Sequence, residues 1–432
     1  MKFKIFSKRD DGKNVLHFYD NITQEILTEK NIPVYLINDP RCKRLTRHST
    51  HRYQLEDSKT VQSHIKKLEI NNLRITLGFD CNFSCKYCLE AQTRHKHNKF
   101  HHNRGSLDDR VENLIAMLKK SDIKPRSITF WGGEPFVYIK AIQKLTPKLK
   151  ELYPEAGIST ITNGSLLTPK LCEWLVENDI GLTVSHDGPS FNAYRNDKNP
   201  LDDDVILQSM KYYVEQASKP DSKLRFGFNC VITPENSDLS QLAPYFESYF
   251  GRPVHFGFES IAKLNAFSKD VITPFDEQHQ KLLLNHIVAY GSTESNDHPY
   301  GSMRDRVTNV LKDLINRTNM YTVPTSCMVG AEDFLAIDMQ GNLLKCHGAA
   351  ETYGTLSELN EATFEIEHPW TTRDNCRTCP YLVSCKGGCV MASNEDTNAT
   401  CKNLQIWHAG LFIAAWKILF DSTIYKIEPM EE

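Results

Sequence analysis

The chain has 432 residues, of which 40% are hydrophobic and 24% charged, with a formal net charge of −3. So even a balance gives no electrostatic reason to expect nucleic acid or an anionic membrane as partner, and the length suggests two or three domains. The opening MKFKIFSKRDDGK has no apolar run of signal-peptide length, and the strongest apolar stretch, Leu411 to Phe420, is too short to span a bilayer and contains Lys417, so a cytoplasmic location is expected.

Residues 1 to about 70 differ in character from the rest. Alternating segments near Lys2–Ser7 and Val15–Tyr19 predict a hairpin. A basic, His-containing stretch (Arg41 to Arg52) and a polar helical pattern toward Lys67 follow. An N-terminal extension of this kind can capture a peptide as an added strand. From Leu73 short β-rich runs alternate with helical patterns. Strands are predicted at Leu73–Gly78, Ser127–Gly132, Gly157–Thr162, Gly181–Ser185, Leu224–Ile232 and Val254–Glu259. Helix starts lie between them: Ser106 as N-cap with Asp109 in the first turn, and Thr168 followed by Pro169. Six strands alternating with helices predict an α/β fold, a parallel sheet curled by right-handed crossovers into a partial, TIM-like (β/α)6 barrel. Chemistry in such a barrel belongs at the C-terminal strand ends. After about residue 320 the alternation stops, and a Cys-rich, loop-rich region runs to a helix near Leu404–Phe420. The expected domains are therefore 1–70, 71–315 and 316–432.

Cysteine usage is the anomaly. Thirteen are present, and ten fall in two sets, while Cys42, Cys172 and Cys230 are expected as small buried hydrophobes. Without an export signal, clustered thiols point to metal or redox chemistry rather than disulfides. The first set, CNFSCKYC, places Cys81, Cys85 and Cys88 on one loop directly after the first barrel strand. Three thiolates can hold three irons of a [4Fe–4S] cube and leave the fourth open. The alternative is zinc, which prefers four closed ligands, with His95 and His97 near enough to contribute.

Other strand ends carry further motifs: Trp131-Gly132-Gly133-Glu134-Pro135, Thr162-Asn163-Gly164, and Ser185-His186-Asp187-Gly188-Pro189 with Arg195 beyond. Singly, each reads as a turn. In order, behind the cysteine loop, they resemble the radical S-adenosylmethionine (SAM) enzymes over about residues 70 to 300. The resemblance implies that Gly132, Gly133 and Glu134 meet the methionyl ammonium. It implies that Asn163, Ser185 and Arg195 face the ribose and carboxylate, and that Tyr87, Val231 and Ile232 pack near the adenine. The cysteine loop would bind one [4Fe–4S] cluster, at which SAM is reductively cleaved to a 5′-deoxyadenosyl radical.

The second set, Cys327, Gly341-x4-Cys346, Cys376-x2-Cys379-x5-Cys385-x3-Cys389 and Cys401, resembles the SPASM extension of that family. By that resemblance, Cys376, Cys379, Cys385 and Cys401 hold one auxiliary [4Fe–4S] cluster, and Cys327, Cys346 and Cys389 hold three irons of another. Seven thiolates leave an eighth position for substrate, water or His347. Where sulfatase-activating relatives have an Asp general base after the G-x4-Cys cysteine, this chain has His347, which can also accept a proton.

The function these features imply is a peptide-modifying radical SAM/SPASM oxidoreductase. Its expected substrate is a ribosomally made precursor peptide or protein, joined by an oxidative side-chain cross-link, with flavodoxin or ferredoxin as electron donor. Formylglycine formation of the sulfatase type, a thioether bond or epimerisation are alternatives, and a zinc-ribbon-like binding protein is the alternative of another class. The basic run Arg94–Arg104 reads as a solvated loop or as a lid for an acidic peptide.

Overall fold

The computed structural model describes residues 1–35, 61–64, 70–91, 106–261, 273–293, 299–322, 327–329, 331, 333–366 and 368–430. The stretch Arg41–Arg52 and the segment Arg94–Arg104, with His95 and His97, lie outside them, as does the run toward Lys67 except Val61–His64, which is a strand paired antiparallel with Thr363–Ile366 and not the expected helix. In chain order the main elements are β1 (Lys2–Arg9), β2 (Asn14–Asp20), β3 (Ile26–Thr28), β4 (Val61–His64), β5 (Asn72–Thr76), α1 (Leu107–Ser121), β6 (Ser127–Trp131), α2 (Ile139–Leu152), β7 (Gly157–Thr162), α3 (Pro169–Glu177) and β8 (Ile180–Ser185). Then come α4 (Asp204–Ala217), β9 (Phe226–Ile232), α5 (Leu242–Phe250), β10 (Phe256–Ser260), α6 (Glu277–Gly291), α7 (Gly301–Ile315), β11 (Phe334–Asp338), β12 (Asn342–Leu344), β13 (Thr352–Thr355), β14 (Thr363–Ile366), α8 (Asn394–Phe420) and β15 (Ser422–Pro429).

Six parallel strands run in the order β10-β9-β8-β7-β6-β5, the expected partial barrel. Local signals act as read. Ser106 caps α1 in a reciprocal capping box with Asp109, and the Thr168 hydroxyl accepts from Leu171 N ahead of Pro169. The sheet does not end with the six, however. β11 adds in parallel beside β5, and β12 and β13 extend it antiparallel to nine strands. The Cys-rich region is thus built onto the barrel's own sheet.

Alternation along the strands buries one face, for example Leu73, Ile75, Ile128, Phe130, Leu182 and Val184. The opposite, concave face is unusually small. Across neighbouring strands Ser127 lies beside Gly157, Ser159 beside Gly181, Thr183 beside Gly227, and Asn229 beside Gly257. Closed barrels fill this space with bulky side chains; here a cavity of about 980 Å³ remains, with Arg225 and Glu259 among its lining residues.

The first hairpin pairs with the last strand: β1 lies between β2 and β15. This sheet packs on α8, which is 27 residues long and begins at the Ser393 cap, before the expected Leu404. The C-terminal helix is buried as anticipated, and among the described residues no helix is long and apolar enough to cross a membrane. Between sheet and helix, His17 is wedged against Trp416 and Phe420, with ring centres 5.4 and 4.7 Å away. Burial lowers its pKa to about 4. A His depressed in the fold takes up its proton more readily when unfolded, so it costs stability as pH falls below its unfolded value near 6.5. For His17 the cost between pH 7 and pH 5 is about 2 kcal/mol. His17→Phe should flatten the loss of stability over that range, measured by denaturant unfolding at both pH values. An unchanged pH dependence would show that His17 is not held neutral.

Candidate active site

Cys81, Cys85 and Cys88 follow β5 on one loop, as expected. Cys88 N donates to Cys85 O at 3.1 Å and turns the loop back, while the Cys81 sulfur accepts from Phe83 N at 3.4 Å. Burial pushes the Cys85 thiol up to about 12; Arg195 opposes the shift, and Cys88 and Cys81 add to it. A sulfur held this way gives up its proton to a metal rather than to water. Among the described residues no three His, Cys, Asp or Glu side chains converge as one metal ion requires. A four-iron cube takes each thiolate at its own corner, and three cysteines on one loop are a donor set that fits it.

The turn after β6 fixes this loop by backbone contact. Gly133 N donates to Gly78 O at 3.0 Å and Glu134 N to Asp80 O at 2.8 Å. A side chain on Gly133 would begin 2.4 Å from Asp80 O, and one on Gly132, at φ +139°, 2.2 Å from Gly78 O. The closeness these glycines permit is therefore to the stem of the cysteine loop. Glu134 is buried, and its oxygens accept from Thr162 Oγ1 (2.6 Å), Phe136 N (3.0 Å) and Asn163 N (2.7 Å). Burial raises its pKa, and these donors pull the other way. Asn163, positioned by this strap, gives its amide to Asn82 Oδ1 at 2.8 Å and lies 4.0 Å from the Cys81 sulfur.

The third anchor is Asp187, fully buried after β8. Its Oδ1 accepts from Arg195 Nη2 and Val231 N, both at 2.9 Å; Oδ2 lies 2.9 Å from Arg195 Nε and accepts from the Tyr87 hydroxyl. Burial works against the charge on Arg195, but Asp187 more than offsets it and keeps the guanidinium charged. Tyr87 stacks on Tyr194 at 6.0 Å, and Lys86 N donates to Tyr194 O. The cysteine loop is thus docked on the segment after β8 through Tyr87, Arg195 and Asp187. Nothing local in the sequence marks Asp187 as more than a turn residue. Beside it His186 is buried, accepts from Gly188 N and contacts Asn199 Oδ1 at 2.9 Å; burial lowers its pKa to about 4. Ser185 ends β8 on the face shared with Thr183, opposite Asn229. Val231 is half-buried at the end of β9, and Ile232 joins the core.

The second cysteine set forms two neighbourhoods. Cys376, Cys379, Cys385 and Cys401 lie close enough to raise one another: the Cys385 thiol is raised first by burial, then by the other three. Cys346, pushed up to about 12 by burial, also feels Cys389 and Cys327. The resemblance to the SPASM extension implies the same two groups. Arg373 binds the intervening loop, donating to the carbonyls of Gly387, Cys389 (2.9 Å) and Ala392 (2.9 Å). The N-terminal hairpin contributes too: buried Asn21 donates to Arg377 O at 3.0 Å and Cys379 O at 2.9 Å. His347 packs against Trp131 of the barrel and Phe334 of β11. Its ring stands edge-on to Trp131 at 4.4 Å, its buried Nδ1 has no hydrogen-bond partner among the described residues, and burial followed by Arg74 lowers its pKa well below the usual value. Trp131 in turn donates to Glu90, just beyond Cys88, at 2.5 Å.

Comparison with known proteins agrees with this geometry. Residues 75–238 match the family model of the Radical SAM superfamily, which marks a radical SAM domain in that part of the chain. It is 23% identical over 354 residues to the radical SAM cyclopropyl synthase TigE of Paramaledivibacter caminithermalis, covering 75% of this chain and 68% of that protein. It is 21% identical over 347 residues to the cysteine-type anaerobic sulfatase-maturating enzyme of Clostridium perfringens, 74% and 88% of the two chains. The solved structure of native anSMEcpe with bound AdoMet and Cp18Cys peptide superposes with a TM-score of 0.56 at 16% identity, over 81% of this chain and 99% of that one. At that identity the likeness is one of fold. The radical SAM family implies SAM and a [4Fe–4S] cluster, which the Cys81 loop fits.

Replacing Asp187 by Asn leaves Arg195 buried without its counter-charge. The expected loss is about 3 to 5 kcal/mol, read by guanidinium chloride unfolding; a variant as stable as the wild type would show that the pair does not hold the loop.

Proposed function

We propose that this chain is a radical SAM enzyme that modifies a ribosomally made peptide by oxidative side-chain cross-linking. The observation that carries the reading is the row of Cys81–Cys88, Trp131–Glu134, Asn163, Ser185–Asp187 and Val231 along the C-terminal ends of adjacent strands β5 to β9. A [4Fe–4S] cube on Cys81, Cys85 and Cys88 together with SAM supplies, when bound, a 5′-deoxyadenosyl radical able to take hydrogen from an unactivated C–H bond. The protein's part is placement. With its oxygens engaged by Thr162, Phe136 and Asn163, Glu134 acts on the methionyl ammonium chiefly by presenting the backbone around it. With Asp187 on its guanidinium, Arg195 positions Tyr87 and the cysteine loop and is a weaker candidate for the carboxylate. Asn163 and Ser185 remain for polar contacts, and Tyr87, Val231 and Ile232 for the adenine.

The hollow, polar-lined lumen gives room for a polypeptide segment below this row. The sulfatase-maturating enzyme whose fold it shares has been solved with peptides bound, which favours a peptide substrate, and TigE is named a cyclopropyl synthase, which favours bond formation. In this reading Cys376, Cys379, Cys385 and Cys401 hold one auxiliary cluster. Cys327, Cys346 and Cys389 hold three irons of a second, whose remaining position is open to substrate or water. Its orientation to Trp131 makes His347 a candidate base on the barrel side rather than the eighth ligand. A ferredoxin or flavodoxin supplies electrons, and residues 1–70 and Arg94–Arg104 are candidates to hold the peptide.

The test uses the anaerobically reconstituted full chain with SAM, a strong reductant and the short peptide encoded beside its gene. Cross-linking predicts 5′-deoxyadenosine in step with a peptide that loses hydrogen and resists fragmentation between the joined residues. A product that reacts with hydrazine reagents is an aldehyde and would favour the formylglycine alternative; absence of deoxyadenosine would overturn the enzyme reading.

A further inference from the structure

Arg74 lies on β5 at the join between barrel and Cys-rich region, in register with Thr129 of β6 and Ala336 of β11. Its guanidinium carbon is 4.7 Å from the centre of the Trp131 ring and 5.4 Å from that of Phe334. Both rings also meet His347 edge-on, at 4.4 and 6.4 Å, and His347 directly follows Cys346. Cation–π contact with two rings holds the charge in one place, against the loop that carries Cys346.

A guanidinium drawn out of water needs an anion or a set of oxygens. Arg373, the buried arginine on the other side of these cysteines, has carbonyls on three residues and Asn394 Oδ1 at 3.3 Å. Among the described residues, Arg74 has rings in place of such acceptors. Glu259, whose field it feels together with Cys346 and Cys327, stands 3.1 Å from Arg306 instead. The remaining nearby groups are thiols. A free thiol is neutral near pH 7 and becomes an anion on ligating a metal. The negative charge that matches Arg74 therefore arrives with a metal centre.

We propose that Arg74 is the counter-cation of an iron–sulfur cluster on Cys327, Cys346 and Cys389, and that its charge raises that cluster's reduction potential. The inference rests on reading those cysteines as a cluster site. Net charge around a cluster sets its potential; a fixed cation stabilises the reduced, more negative state. Arg74 is a positioning residue in this role, acting through the cluster and not on the substrate.

The test compares wild type, R74K and R74Q as reconstituted full chains, by iron content and by potentiometric titration followed by electron paramagnetic resonance. The expected result is equal iron, with one cluster of R74Q titrating at a more negative potential and R74K between R74Q and wild type. Superimposable titrations at equal iron would overturn the proposal, and a raised KM for the peptide in R74Q would then assign Arg74 to a substrate anion. If R74Q fails to load iron, R74K decides. Loading with a near-wild-type potential supports a charge role, and the same failure to load overturns it in favour of packing. A wild-type chain with only about four irons removes the cluster reading itself, a failure distinct from an unmoved potential.

Discussion

The contact on which the rest of the site depends is the one between the turn after β6 and the stem of the cysteine loop. Gly133 passes so close to Phe79 O and Asp80 O that no side chain fits between them, and two backbone hydrogen bonds, to Gly78 O and Asp80 O, lock the approach. Because the turn is tied in the other direction by the Glu134 carboxylate to Thr162 and Asn163, the ends of β5, β6 and β7 are joined by two backbone bonds and one side chain. Asp187 does the same from β8 and β9 through Tyr87, Arg195 and Val231. Three sulfurs on a loop have no fold-giving power of their own. Here the loop is gripped on both flanks, so the sulfurs are placed before any metal arrives.

The same strand, β5, carries the coupling to the rest of the chain. On one side it pairs with β6 and on the other with β11, so the barrel and the Cys-rich region share a sheet. Trp131 joins the two at the level of side chains, with Glu90 on one edge and His347 on another. The outer cysteines are held by elements distant in sequence: Asn21 from the first hairpin and Lys386 paired with Asp313 of α7 at 2.9 Å. A loop-rich region with little periodic core draws its order from these polar staples, consistent with its dependence on thiols for anything further.

Much of this was legible in the sequence. Short β-rich runs marked all six barrel strands to within a residue or two, because one face of each is buried against helices and so is apolar. The grouping of the second cysteine set rests on its resemblance to the SPASM extension, which the spacing alone does not give. What escaped were features whose meaning depends on distant partners. The start of α8, NEDTNATCKN, shows no apolar periodicity, and only the Ser393 cap announces it. β11 lay unread within the loop-rich region, since its pairing with β5 is set by tertiary contact. Asp187 and Arg74 carry no local pattern either; their weight comes from Tyr87, Arg195 and Val231 in one case and from Trp131 and Phe334 in the other. The hollow lumen was in principle readable, as Gly157, Gly181, Gly227 and Gly257 recur on successive strands, but their alignment appears only once the register is known.

The central claim is that the polypeptide places its cysteines in three groups for three cubane clusters. The most direct measurement is iron, zinc and acid-labile sulfide per chain after anaerobic reconstitution, in the wild type and in a variant with Cys81, Cys85 and Cys88 all replaced by Ala. The account predicts a brown protein with about twelve irons, falling by about four in the variant while the others remain. A colourless protein that takes up zinc, or a variant that loses no iron, would contradict it.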